Sequence, residues 1–273
     1  MPNRLHFISG LPRSGSTLLA ALLRQNPRFV AGMSSPVNSL FNAMLGETSQ
    51  HNEGAVFIDD ETRKRLLRGV FSAYYADAPA DSVVFDTSRG WTAKLSALPE
   101  LFPDAQVICL VRHPAWIVDS LESLIRRNAF ELSGIFNYDP RGTVYSRVEG
   151  LGSPTGMVGY AFNALREAVY GPHADRLLLV RYETLIANPL GVLTAICHAI
   201  GEPLASHDSE HIAPCYDMVE FDARLGTPGL HEVGSRVEAR RRATVLPPEL
   251  FARFEKDAFW EDKAVLPSSV RLL

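Results

Sequence analysis

Residues 5–19, Leu-His-Phe-Ile-Ser-Gly-Leu-Pro-Arg-Ser-Gly-Ser-Thr-Leu-Leu, carry the types and spacing that could grip a phosphate. Leu5 to Ser9 reads as a short buried strand stopped by Gly10. Gly10 to Thr17 reads as a tight loop, and Thr17 to Gln25 as a strong helix former. In a strand, glycine loop and helix of this kind, loop N–H groups and the positive end of the helix dipole converge on one anion. The spacing nearly matches a Walker A loop, Gly-x4-Gly-Lys-[Ser/Thr]. Gly10, Gly15 and Thr17 fit, but Ser16 holds the lysine position and the loop's cation is Arg13. A nucleoside-triphosphate enzyme built this way would lack the charge that reaches the terminal phosphates.

Further polar groups follow apolar runs that read as strands. Asp86-Thr87-Ser88-Arg89 follows residues 82–85. Arg112-His113-Pro114 follows 106–111, with Ser120 eight residues beyond Arg112. Arg181-Tyr182-Glu183-Thr184-Leu185 follows 176–181. Arg236, Arg240, Arg241 and Arg242 cluster toward the C-terminus. In parallel α/β sheets, ligands bind where the strands end at their carboxyl side. His6 lies within a strand and reads as structural. His51, His173, His198, His207, His211 and His231 lack motif context.

The loop Pro12-Arg13-Ser14-Gly15-Ser16-Thr17 resembles the 5′-phosphosulfate loop of sulfotransferases that use 3′-phosphoadenosine-5′-phosphosulfate (PAPS). It is closer to the tyrosylprotein and carbohydrate branches than to the cytosolic branch, which has lysine at the arginine position. Arg112 with Ser120 resembles that family's 3′-phosphate motif, and Tyr182 its adenosine-contacting tyrosine. The resemblance implies that the loop N–H groups and the Ser14 and Thr17 hydroxyls hold the 5′-phosphate. Arg13 would sit on the leaving phosphate, and a C-terminal arginine, for which Arg236 is the choice, would reach the nucleotide. It further implies PAPS as donor and 3′,5′-adenosine bisphosphate (PAP) as product, with no metal and an unknown acceptor: a sugar, phenol, peptide or lipid. The family's usual catalytic bases have no counterpart here. Asp86 is the expected substitute, and Arg89 the expected second catalytic cation. Two other classes stay open: a deviant P-loop kinase or NTPase, with Asp86 mimicking a magnesium-holding aspartate, and a non-catalytic nucleotide-binding protein.

These residues must be positioned by the rest of the 273-residue chain. Apolar strands alternate with helices, which predicts an α/β, P-loop-type three-layer fold with a central parallel sheet and helices on both faces. A single domain over 1–273 is expected, with irregular substrate or lid segments at 130–155 and 202–235. Helices are expected at 37–45, 59–75, 91–101, 115–127, 157–170, 189–200 and 249–256. At 46% hydrophobic and 21% charged the composition is that of a soluble globular protein. A net charge of −4 gives no reason to expect nucleic-acid binding. Cys109, Cys197 and Cys215 match no metal or disulfide spacing. No stretch approaches the ~20 apolar residues of a membrane span, and no signal peptide is visible. Secretory-pathway sulfotransferases of animals carry such an anchor, so the resemblance implies a cytoplasmic, bacterial enzyme.

Overall fold

Alternation along the strands decides how this chain packs. In β1 (Arg4–Gly10), Phe7 and Ile8 point to opposite sides of the sheet and enter two separate cores. The computed structural model describes residues 4–140, 142–213, 217–238, 243–262 and 264–273. After β1 come α1 (Ser16–Leu23), β2 (Phe29–Ala31), α2 (Val37–Glu47), α3 (Asp60–Tyr74), β3 (Val83–Thr87), α4 (Leu98–Leu101), β4 (Val107–Val111) and α5 (Pro114–Arg127). Then follow α6 (Val144–Gly152), α7 (Met157–Tyr170), β5 (Leu177–Arg181), α8 (Tyr182–Ala187), α9 (Pro189–Ile200), α10 (Asp217–Arg224), α11 (Pro248–Ala252) and β6 (Arg271–Leu272).

Among the described residues six strands pair in parallel in the order β2-β3-β1-β4-β5-β6. On one face Phe7, Val84, Cys109 and Leu179 pack with α2, α3, α5 and α7. On the other, Ile8, Phe85, Ile108 and Leu178 pack with α1, α8 and α9. The sheet therefore has helices on both faces, as expected. The chain order switches sides between β1 and β4, the position where such sheets open a ligand crevice.

Three expectations change. The helix expected over 91–101 is a 3₁₀ turn at Arg89–Lys94 followed by the short α4. Pro99 sits in the first turn of α4, where its missing N–H does no harm; inside one continuous helix it would break the ladder. Segment 130–155 is not wholly irregular, since it contains α6. There Thr143 and Ser146 cap reciprocally, and Val148 and Leu151 are buried. Segment 202–235 contains α10.

His6 is 2% exposed beside Phe85, and its Nδ1 accepts the Gln106 N–H at 3.1 Å. Burial, with Arg4 adding to it, lowers its pKa to about 4. The unfolded chain, near 6.5, then binds more protons between those values, so the stability His6 contributes is present above pH 6.5 and is lost as pH falls toward 4. We expect the loss to total about 3 kcal/mol, at about 1.4 kcal/mol per pH unit, and to be flattened in His6→Asn. Denaturant titrations across this range check it. Parallel pH profiles for wild type and variant would contradict it.

Candidate functional site

Three residues with left-handed backbone bend the loop between β1 and α1: Gly10 (φ 106°), Arg13 (φ 56°) and Gly15 (φ 97°). A Cβ on Gly15 would lie 3.0 Å from the Tyr182 ring, so glycine lets the loop press against α8. Arg13 has no such excuse: a bulky side chain at positive φ is strained backbone, which persists where surroundings over-determine it. Gly15 caps α1, and Ser16 and Thr17 at that helix start face a cleft of about 950 Å³. The cleft runs from the loop past Thr87–Gly90, Arg112, α5 and Tyr182 to residues 229–238.

Arg13 ties the cleft together. Its Nε–H donates to Ser120 Oγ at 3.2 Å, and its Nη1 donates to the Leu230 carbonyl. Arg112 Nη1 donates to the Arg13 carbonyl at 3.1 Å, and the Arg112 guanidinium lies 4.2 Å above the Tyr182 ring. Four residues singled out in the sequence, from the loop, the end of β4, α5 and the start of α8, thus form one connected cluster. Burial first, then the neighbouring charges of Arg112 and Arg127, hold the Arg13 pKa below its ordinary value. Crowded like charges of this kind are relieved by a bound anion.

Among the described residues five arginines line the cleft, Arg13, Arg89, Arg112, Arg127 and Arg236, in a chain whose net charge is −4. Pro12 lines it as well. Protein packed around Arg89 lowers its pKa. Arg236 approaches Glu238 at 3.5 Å. Arg240, Arg241 and Arg242 lie outside the described residues. Asn38 also faces the cleft, and its buried Nδ2 has no hydrogen-bond partner among the described residues. A ligand oxygen would satisfy it.

Two expectations are corrected. The Ser14 hydroxyl does not face an anion. It is fully buried and donates to the Leu11 carbonyl and, at 3.1 Å, to the Leu110 carbonyl, which pins the loop to β4. Asp86 is not placed to take a proton from a substrate. It is fully buried on the Val84 side of β3 and accepts hydrogen bonds from Trp91 Nε1–H at 2.7 Å, Tyr75 O–H at 2.6 Å and Ser35 O–H at 2.7 Å. Burial pushes its carboxyl pKa up, and the three donors pull against that. Its work is to hold α2, α3 and the turn after β3 together.

Sequence reasoning missed two cleft features. Arg127 stands seven residues after Ser120, on the same face of α5, and that spacing was the available signal. His231 lines the cleft and is hydrogen-bonded to Asp222, with no motif to announce either.

Replacing Asp86 by alanine removes the partner of the buried Trp91 N–H and of the half-buried Tyr75 and Ser35 hydroxyls. We expect a stability loss of about 2–4 kcal/mol by urea denaturation. A loss well under 1 kcal/mol would contradict the structural role.

Among the described residues, no group of three or more His, Cys, Asp or Glu could hold a metal ion, and no helix is long and apolar enough to cross a membrane. Comparison with known proteins adds the lineage. The nodulation protein NoeE of Sinorhizobium fredii (strain NBRC 101917 / NGR234) is 30% identical over 203 residues, 67% of this chain and 46% of NoeE, so the match spans less than half of that relative. The sulfotransferase domain from the curacin biosynthetic pathway superposes with a TM-score of 0.51 at 19% identity. It covers 75% of this chain and 76% of that domain, a likeness of fold. A family model described as "Sulfotransferase family" matches residues 6–206, a span that holds the glycine loop, Arg112, Ser120 and Tyr182. With most of its length and its anion-facing cluster inside that match, the chain belongs to the sulfotransferase family.

Proposed function

We propose that this protein moves a sulfuryl group from PAPS to a hydroxyl or amine acceptor, with PAP as the other product. The observation that carries the reading is the cluster of Arg13, Ser120, Arg112 and Tyr182 beside a glycine loop without a Walker lysine. The residues fit the donor. N–H groups of the loop and the hydroxyls of Ser16 and Thr17 would hold its 5′-phosphate at the start of α1. Arg112 and Ser120 would hold the 3′-phosphate, Tyr182 the adenosine, and Arg236 would close from the far wall. Asn38 would donate to an oxygen of the ligand.

When bound, PAPS supplies an activated sulfuryl group. The protein's task is then positioning and charge stabilisation rather than covalent chemistry. Arg13 would meet the growing negative charge on the leaving phosphate with N–H groups other than the two that bond Ser120 and the Leu230 carbonyl. Arg89, which also lines the cleft, would stabilise the sulfuryl oxygens. Gly134 and Thr155 from segment 130–155, and Gly229 to Gly234 from segment 202–235, line the cleft, which supports these two segments as the acceptor side.

The kinase reading has less support. Ser16 stands at the lysine position, and Asp86, its one candidate for holding magnesium, is enclosed by three hydrogen-bond donors.

With radiolabelled PAPS and a set of simple phenols and glycosides, we expect transfer of label that Arg13→Ala slows by about 10²–10³-fold. Transfer from magnesium ATP in place of PAPS would contradict the proposal.

A further inference from the structure

The reaction needs a group to receive the acceptor's proton, and Asp86 is not available. Elsewhere on the cleft lining, the chain leaves α10, turns at Gly226 (φ 66°) and brings His231 back to Asp222. Asp222 is 3% exposed. Its Oδ1 accepts the Nδ1–H of His231 at 2.6 Å, and its Oδ2 accepts the His231 backbone N–H at 2.8 Å. The Phe221 ring meets the imidazole edge-on at 5.5 Å. One carboxylate therefore fixes both the backbone and the ring of His231. With Nδ1 committed to Asp222, proton uptake falls to Nε2 on a ring that lines the cleft. The preceding carbonyl, that of Leu230, accepts from Arg13. The imidazole thus stands one residue from the point where the loop cation is anchored.

We infer that His231, oriented by Asp222, is the general base that receives the acceptor's proton. This rests on the sulfotransferase reading above. His231 Nε2 takes the proton as the acceptor oxygen forms its bond to sulfur. The bond from sulfur to the 5′-phosphate oxygen breaks, and its electron pair stays on that oxygen beside Arg13. The imidazolium is held against the Asp222 carboxylate until it loses the proton to solvent. Asp222 is a positioning residue: it sets the tautomer and stabilises the cation.

Among the described residues the charged groups facing His231 are Asp222 from α10, Arg89 from the turn after β3 and Arg13 from the loop. Burial lowers the imidazole pKa most. Asp222 opposes this, and the two arginines add to it, leaving the pKa below 6.5. The ring is therefore neutral near pH 7, the form a base requires.

Two readouts test this. In wild-type protein bound to PAP, ring-nitrogen NMR shifts should report a neutral Nδ1–H tautomer of His231 at pH 7.5, titrating below 6.5; Asp222→Asn should disturb that tautomer. A ring carrying its proton on Nε2 would overturn the inference. In the radiolabel assay, His231→Gln should slow transfer by about 10²–10⁴-fold while PAP affinity by calorimetry stays within about threefold. Asp222→Asn should slow transfer in the same sense and alter the acid limb of the pH profile. Transfer that is unchanged in His231→Gln, with the wild-type acid limb retained, would equally overturn it. Wild-type protein that binds no PAP would instead remove the donor reading, and this inference with it.

Discussion

At the ends of β1 and β4 the backbone of Gly10 passes so close to Leu110 that a Cβ on Gly10 would lie 2.2 Å from the Leu110 carbonyl oxygen. Glycine at φ 106° permits that approach. The same carbonyl accepts the Leu11 N–H at 2.8 Å and the Ser14 hydroxyl at 3.1 Å. The loop is therefore pegged to the central strand pair before it reaches α1. Two residues beyond Leu110, Arg112 leaves β4 and donates to the Arg13 carbonyl. The position of the loop cation thus follows from strand packing. It falls where the order of strands switches sides, so the cleft opens there.

Charge gives this arrangement its purpose. Arg13 is buried, strained at positive φ and crowded by Arg112 and Arg127. Its hydrogen bonds to Ser120 and the Leu230 carbonyl offset part of the cost. An anion at the loop would offset the rest. Proteins commonly accept such local instability at functional sites. The contact with Leu230 also links the glycine loop to the segment that carries His231.

Much of this was legible in the sequence, because strand alternation and glycine spacing are local signals. The apolar runs gave β1, β3, β4 and β5 within a residue or two, and the motif residues Arg13, Arg112, Ser120 and Tyr182 lie in one connected cluster. What escaped depends on contacts across the fold. Asp86 follows the apolar run 82–85 and reads as lying past the end of its strand, yet β3 continues to Thr87 and turns the Asp86 carboxylate toward Tyr75 and Trp91. A serine in a phosphate loop invites a binding role, and only its burial shows that Ser14 is a peg. The glycine, proline and asparagine content of 130–155 hid the Thr143–Ser146 capping pair that starts α6. Asp222 and His231 are nine residues apart across a turn, and no periodicity connects them.

The central claim is that the arginine cluster reads a 3′-phosphate in addition to a 5′-phosphate. Calorimetric titration with PAP and with AMP, for wild type and Arg112→Ala, tests it most directly. Wild type should bind PAP roughly ten- to a hundredfold more tightly than AMP, and Arg112→Ala should remove that difference. Equal affinity of the wild type for PAP and AMP, or a preference for magnesium ATP over PAP, would contradict it.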